Sequence, residues 1–153
     1  MLYFAYGSNL DPQQMDDRCP GFQVHARARL ANHRLCFPRA CESWAGGVAS
    51  IEPHPNHHVH GVLYQLTQDH IDTLDIYEDI AEGSYRREER PIEIESGPTL
   101  RVLTYIAEPD PNGPTPPSRQ YLDGILRGAR FHKLPAHYIA ELEKIPILSP
   151  KTP

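Results

Sequence analysis

The order in which strands and helices are expected along this chain is its strongest constraint on the fold. Hydrophobic periodicity predicts a strand, a short helix, several strands, a helix, two strands and finally two helices. A doubly wound parallel sheet needs strands and helices in regular alternation, and this order does not provide it. The sequence therefore predicts an α+β fold, in which a mixed, curled sheet or small barrel carries flanking helices.

Local patterns define the individual elements. Phe22 to Leu30 alternates apolar and polar residues, which predicts a strand with one solvated face. Helix starts are indicated by Asp11 before Pro12, by Thr67 and by Ser118. The full prediction is strands over 2–6, 22–30, 34–37, 48–51, 59–66, 85–94 and 100–107, helices over 12–19, 68–79, 118–129 and from 134, a turn at 32–33 and a loop over 53–58.

Length and composition fit one globular domain. The 153 residues are 39% hydrophobic and 23% charged, which rules out disorder of the whole chain. We predict a single domain over 1–146 and a loose tail over 147–153. Because the three cysteines include no CxxC pair, a disulfide framework is not expected.

The chain's charge and apolar segments limit its partners. The formal charge is −5, and no basic stripe is present, so we expect no nucleic-acid partner. No apolar stretch approaches the ~20 residues that span a membrane. Since no secretory signal is visible either, the sequence predicts no membrane association and a cytoplasmic location.

The first candidate site is the loop Tyr6-Gly7-Ser8-Asn9, between the first strand and the first helix. Glycine allows a sharp turn and a close ligand, and the following helix offers free N–H groups. Such a loop can hold a carboxylate, a phosphate or a developing oxyanion, or it can be a plain turn. It has neither a dinucleotide-binding glycine pattern nor a phosphate-binding lysine. Because Ser8 has no local base, it is a ligand contact or turn cap rather than a nucleophile.

The second candidate is Glu78. On the predicted second helix Ile71 and Leu74 face the core, and a further step of four puts Glu78 on the same apolar stripe. Burial of a carboxyl group raises its pKa, which suits a general acid/base near neutral pH. Alternatively, Glu78 lies at a frayed helix end and points to solvent or pairs with Arg86 or Arg87.

Histidines and tyrosines supply weaker candidates. Four histidines lie within seven positions and can in principle bind zinc or nickel: His54, His57, His58 and His60. No acidic residue or cysteine is interleaved with them, so an exposed tip between strands is the better explanation and no metal is predicted. Tyr85, Tyr105 and Tyr121 can line a pocket with their rings and hydroxyls, or can belong to the core.

Short segments spread along the chain carry a family pattern. They are YFAYGSNL at 3–10, WAGGVASI at 44–51, GVLY at 61–64, LDIYE at 74–78, GSY at 83–85, TY at 104–105, PSRQY at 117–121, GA at 128–129 and LPAHY at 134–138. In this order, from Leu2 to about Leu142, the chain resembles the γ-glutamylcyclotransferases. The YGSN loop and the helical Glu78 are the most specific parts of the resemblance.

The resemblance implies the family's fold and an enzyme that performs an intramolecular aminolysis. The α-amine of a small γ-glutamyl compound attacks its own γ-carbonyl, 5-oxoproline forms, and an amine or amino acid leaves. It implies that Glu78 is the general acid/base and that Tyr6, Gly7, Ser8 and Asn9 bind the substrate and its oxyanion. By position, Tyr85 and Tyr105 match tyrosines of the family's pocket. Neither a metal nor a cofactor is implied.

The sequence leaves several questions open. Asp79-Ile80-Ala81-Glu82 departs from the glycine that often follows this glutamate in animal members, so the leaving group is undetermined. It can be a free amino acid, the Cys-Gly of glutathione, the lysine of an isopeptide or an antibiotic precursor. The alternative function is a non-catalytic module that binds a carboxylate on the same fold. The oligomeric state, with a homodimer among the alternatives, and closure of the loop 109–117 over the site are also open.

Overall fold

Five strands close into a barrel in residues 1–149, the part of the chain that the computed structural model describes. The strands are β1 (Leu2–Ala5), β2 (Gln23–Cys41), β3 (Gly46–Gln65), β4 (Tyr85–Ile94) and β5 (Thr99–Ala107). The helices are α1 (Pro12–Arg18), α2 (Gln68–Tyr77), α3 (Arg119–Phe131) and α4 (Ala136–Glu143). The predicted α+β fold, a small barrel with flanking helices, is confirmed.

Strand β1 closes the barrel. It pairs antiparallel with β3, with Phe4 opposite Leu63, and parallel with β5, with Tyr3 opposite Leu103. The remaining neighbours, β3 with β2, β2 with β4 and β4 with β5, are antiparallel. Residues 3–5 of β1 are buried, which explains why this strand reads as an unbroken apolar run.

Two predicted interruptions of the sheet are wrong. The turn at 32–33 and the loop over 53–58 both lie inside long, paired strands, β2 and β3. Asn32 and Asn56 take φ values of 59° and 64°, and the Asn56 N–H donates to the Asn32 side-chain oxygen over 3.3 Å. Asparagine tolerates this left-handed conformation, so the polar residues form an irregularity in the ladder rather than its end.

Helix boundaries are close to those predicted. Asp11 and Thr67 cap α1 and α2 by accepting backbone N–H bonds from Gln13 and His70, each over 3.2 Å. The Ser118 hydroxyl caps α3 in the same way. Helix α2 ends at Tyr77, earlier than predicted, and this changes the setting of Glu78 described below.

The segment after α4 runs back to the barrel. The N–H of Leu148 donates to the carbonyl of Pro117 over 2.8 Å, and Ile145 and Ile147 pack against the core. Residues 150–153 lie outside the described residues, so the domain over 1–146 and the loose tail over 147–153 stay predictions. Within residues 1–149 no helix is long and apolar enough to cross a membrane.

Candidate active site

The loop after β1 is held close to two other elements. Gly7 leads into a 3-10 turn over Ser8–Leu10, and α1 follows directly. A Cβ at Gly7 would meet the Cβ of Ala49 on β3 at 3.3 Å, so glycine allows the loop to lie against that strand. From α3, Arg127 reaches the Asp11 cap over 2.9 Å. The predicted loop is therefore a fixed platform.

Glu78 reaches this platform from the end of α2. Its N–H donates to the Leu74 carbonyl, but Glu78 is the C-terminal cap and not a residue of the helical stripe. Asp79 then takes a φ of 50° and turns the chain away. Helical spacing predicts the correct face for Glu78 but a longer helix than the structure shows. The side chain of Glu78 is only 14% exposed.

The groups around the Glu78 carboxylate come from the loop and α1. Asn9 Nδ2 lies 3.5 Å from Glu78 Oε1 and donates to the Tyr3 hydroxyl over 3.0 Å. A guanidinium nitrogen of Arg18 lies 3.9 Å from the same carboxylate oxygen. The predicted alternative partners lie elsewhere: Arg86 pairs with Glu88 and Glu108, and Arg87 with Asp75.

Burial raises the pKa of Glu78 to about 7. The charge of Arg18 and the hydrogen bond from Asn9 lower it, while Asp79 and Asp75 add to the rise. Burial dominates because a carboxylate loses more by leaving water than one cation at 3.9 Å returns. A carboxyl group with this pKa is ready both to accept and to donate a proton near neutral pH.

A small inner cavity adjoins the Glu78 carboxylate. Its volume is about 30 Å³, and it is lined by Tyr3, Tyr6, Gly7, Ser8, Asn9, Ala49, Glu78, Tyr85, Tyr105 and Tyr121. All the residues predicted for the site, from Tyr6 to Asn9 with Glu78, Tyr85 and Tyr105, thus meet at one place. Tyr3 and Ala49 could not be predicted from the sequence, because the direction of a strand residue toward a cavity depends on how the barrel closes.

Hydrogen bonds hold the tyrosines around this cavity. The Tyr6 hydroxyl donates to the Tyr105 carbonyl, and the Tyr105 hydroxyl donates to Asp75 over 2.8 Å. Both backbone groups of Ala49 are hydrogen-bonded to tyrosines. The Tyr85 hydroxyl donates to its carbonyl, and the Tyr121 hydroxyl accepts from its N–H. Burial raises the pKa of each of these tyrosines, so they stay neutral.

We expect Tyr121→Phe to lower the free energy of unfolding by about 1–3 kcal/mol, because it leaves the buried N–H of Ala49 without an acceptor. Chemical denaturation measures this change. Tyr77→Phe is the matched control: Tyr77 is 53% exposed, and its ring contact with Arg18 survives the change. An equal loss of stability in the two variants would show that the hydrogen bond between Tyr121 and Ala49 does not stabilise the fold.

A larger outer cavity of about 510 Å³ adjoins the inner one. The two share Ser8, Glu78, Tyr85 and Tyr121. The outer walls are formed chiefly by Arg18, Arg39, Cys41, Trp44, Tyr77, Asp79 and Gln120. Glu78 therefore stands at the border between a narrow polar cleft and a wide space.

The loop 109–117 is hydrogen-bonded to both β2 and β3, the two long paired strands of the barrel. Thr115 and Asp110 donate their N–H groups to the carbonyls of Phe37 and Pro38 on β2, and Gly47 on β3 donates to Pro116. A Cβ at Gly47 would overlap the Thr115 carbonyl, which shows how closely the loop packs. Among the described residues that line the inner and outer cavities, none belongs to this loop.

The four clustered histidines all lie on β3. The rings of His54 and His57 meet edge to face with centroids 4.2 Å apart. Across residues 1–149, no group of three or more His, Cys, Asp or Glu side chains is arranged to hold a metal ion. The prediction that the protein needs no metal stays a prediction.

Comparison with known proteins gives consistent similarities. The AIG2-like family model matches residues 58–142. Gamma-glutamylcyclotransferases from Bos taurus and Homo sapiens are 32% and 31% identical over 148 residues, which cover 94% of this chain and 78% of each relative. A solved gamma-glutamyl cyclotransferase has a TM-score of 0.92 at 28% identity, over 100% of this chain and 92% of that one. The likeness thus includes the barrel, the loop after β1 and the turn that carries Glu78.

Proposed function

The chain belongs to the γ-glutamylcyclotransferase family, and we propose that it converts a γ-glutamyl amide into 5-oxoproline and a free amine or amino acid. The family match confirms the sequence-based prediction of an enzyme of this kind. The observation that carries the proposed reaction is Glu78, a buried carboxyl group with a pKa of about 7 at the border of two cavities.

The proposed reaction needs one proton carrier. The substrate's α-ammonium gives a proton to the Glu78 carboxylate, and the free amine then attacks the γ-carbonyl carbon. A C–N bond closes the five-membered lactam, and the C–N bond to the leaving amine breaks. The leaving nitrogen takes the proton back from Glu78, so the residue ends in its starting state. The attacking nitrogen still carries two hydrogens, and it loses one of them as the lactam forms; this second proton leaves with the product amine as an ammonium group. Because the nucleophile belongs to the substrate, no serine or cysteine attack is required.

We propose that the two cavities hold different parts of the substrate. The inner cavity, at about 30 Å³, is smaller than a γ-glutamyl group, so we place that group across the border, with its leaving group in the outer cavity. The loop from Tyr6 to Asn9 then holds the γ-glutamyl end through backbone N–H groups and stabilises the oxyanion. Tyr85 and Tyr105 confine the glutamyl group of the substrate in the bent conformer that ring closure requires.

Release of 5-oxoproline tests the proposal. The substrates are γ-glutamyl-alanine, γ-glutamyl-ε-lysine and glutathione, which carry an amino acid, a lysine side chain and Cys-Gly as leaving groups. We expect release from at least one of them, and the preferred substrate identifies the leaving group. If none yields 5-oxoproline while isothermal calorimetry detects their binding, the proposed reaction is wrong and the protein is a binding module.

We expect kcat/KM to rise with pH through about 7. Because the pKa of Glu78 is raised, the carboxyl group is protonated below this pH and cannot accept a proton from the substrate. Initial rates between about pH 5 and pH 9 at low substrate concentration measure the profile. A rate that is flat from about pH 5 to pH 8 would contradict Glu78 as the base.

A further inference from the structure

Arg18 lies inside the site although no step of the proposed reaction uses it. It is the last residue of α1, and its side chain is only 12% exposed. Its guanidinium nitrogen donates to Asn9 Oδ1 over 3.1 Å and lies 3.9 Å from Glu78 Oε1. The guanidinium carbon stands 4.3 Å from the centroid of the Tyr77 ring. Arg18 is thus fixed between the loop, Glu78 and the outer cavity.

Helix α1 sets the orientation of the Asn9 side chain. Gln14, one turn before Arg18, donates to Ser8 Oγ over 2.8 Å and to Asn9 Oδ1 over 3.0 Å. With donors from both Gln14 and Arg18 on its oxygen, the Asn9 amide must turn its nitrogen toward Tyr3 and Glu78. Asn9 is 3% exposed, so water offers it little alternative.

The charged side chains around Glu78 are two carboxylates, which repel its charged form, and Arg18, which attracts it. Asp75 of α2 and Asp79 of the following turn both disfavour the charged form of Glu78. Asp75 is itself engaged by the Tyr105 hydroxyl over 2.8 Å and by Arg87 over 3.6 Å. The hydroxyls that face the carboxyl group stay neutral: Tyr3 of β1, Tyr6 of the loop, Tyr85 of β4, Tyr105 of β5 and Tyr121 of α3. Arg18 is the cation that lies against the carboxylate.

We propose that Arg18 is a positioning residue, which holds Asn9 as a donor toward Glu78 and stabilises the charged form of Glu78. It keeps the general base available at neutral pH. The inference rests on the proposed function, because a charged Glu78 matters only where an ammonium group must lose its proton. The spacing of four between Gln14 and Arg18 puts both on one helix face, a signal that the sequence already contained.

Arg18→Met keeps most of the side chain's length and removes the charge. We expect the acid limb of the kcat/KM profile to move to higher pH by about one unit or more, the scale of the effect of one opposite charge within about 4–6 Å. At alkaline pH the rate should rise again, to a plateau below that of the parent, because this variant also loses the contact with Asn9. A merely structural role would instead lower the rate by the same factor at every pH.

Two further variants complete the experiment. Arg18→Lys keeps the charge but loses the planar fork that reaches Asn9, so its acid limb should stay near that of the parent while kcat falls. If Arg18→Met does not fold, Arg18→Lys alone tests the proposed role of Arg18. The matched control is Arg130→Met, which removes an exposed pair with Glu143 at 3.8 Å and should change neither quantity.

A titration that needs no turnover separates this inference from the proposed function. With carboxyl-labelled glutamate, carbon-13 NMR follows the Glu78 resonance, which is assigned by its loss in Glu78→Gln. We expect the Glu78 midpoint to rise by about one unit or more in Arg18→Met. An unchanged midpoint would overturn the role of Arg18 even in an active enzyme. A raised midpoint supports it even if none of the γ-glutamyl substrates yields 5-oxoproline.

Discussion

Glu78→Gln should leave a folded protein that releases 5-oxoproline about 10²- to 10⁴-fold more slowly than the parent, the range expected when a general acid/base is lost. Glutamine has the same shape, and its oxygen can still accept from Asn9 Nδ2, now 3.5 Å from Glu78 Oε1. It cannot take a proton from the α-ammonium or return one to the leaving amine. Initial rates with the preferred γ-glutamyl substrate measure the loss.

The same variant should be more stable than the parent at alkaline pH. Folding raises the pKa of Glu78 from 4.5 to about 7, so stability falls as pH rises through this window. The neutral amide removes that loss, which gives a gain of about 1–3 kcal/mol at about pH 8 and little at about pH 4. Glu82→Gln, an exposed change in the next turn, is the control for both measurements. Retained activity in Glu78→Gln would show that Glu78 is not the general acid/base of the reaction.

The sequence predicted those parts of the site that depend on local structure. The loop Tyr6–Asn9 follows a buried strand and precedes a capped helix, and both signals lie within about ten residues of each other. Glu78 was found from helical spacing although α2 ends at Tyr77. The residue still faces the site because the cap continues the last turn of the helix.

The remaining features depend on contacts between distant parts of the chain. Tyr3 and Ala49 line the cavity only because β1 and β3 are neighbours in the barrel. The irregularity at Asn32 and Asn56 joins residues that lie 24 positions apart. A local pattern cannot distinguish asparagine in a turn from asparagine in a long ribbon, because both need the same backbone conformation.

Gly128→Ala should damage both stability and activity. A Cβ at Gly128 would overlap the backbone carbonyl of Leu10, the last residue of the turn that carries Ser8 and Asn9. Helix α3 would have to move away from that turn, which would also disturb the contact between His132 and the Leu10 carbonyl. We expect a loss of about 3 kcal/mol in the free energy of unfolding and of about 10²-fold in kcat/KM, since the loop would be displaced.

Gly124→Ala is the matched control, one turn earlier on the same helix. Its Cβ would meet Arg127 at 3.5 Å and Asp11 at 3.9 Å, which is ordinary contact. Alanine is the better helix former by about 1 kcal/mol, so this variant should be slightly more stable and fully active. Thermal unfolding and 5-oxoproline release compare the two substitutions. If both variants behave alike, close packing of α3 on the Leu10 turn does not hold the loop in place.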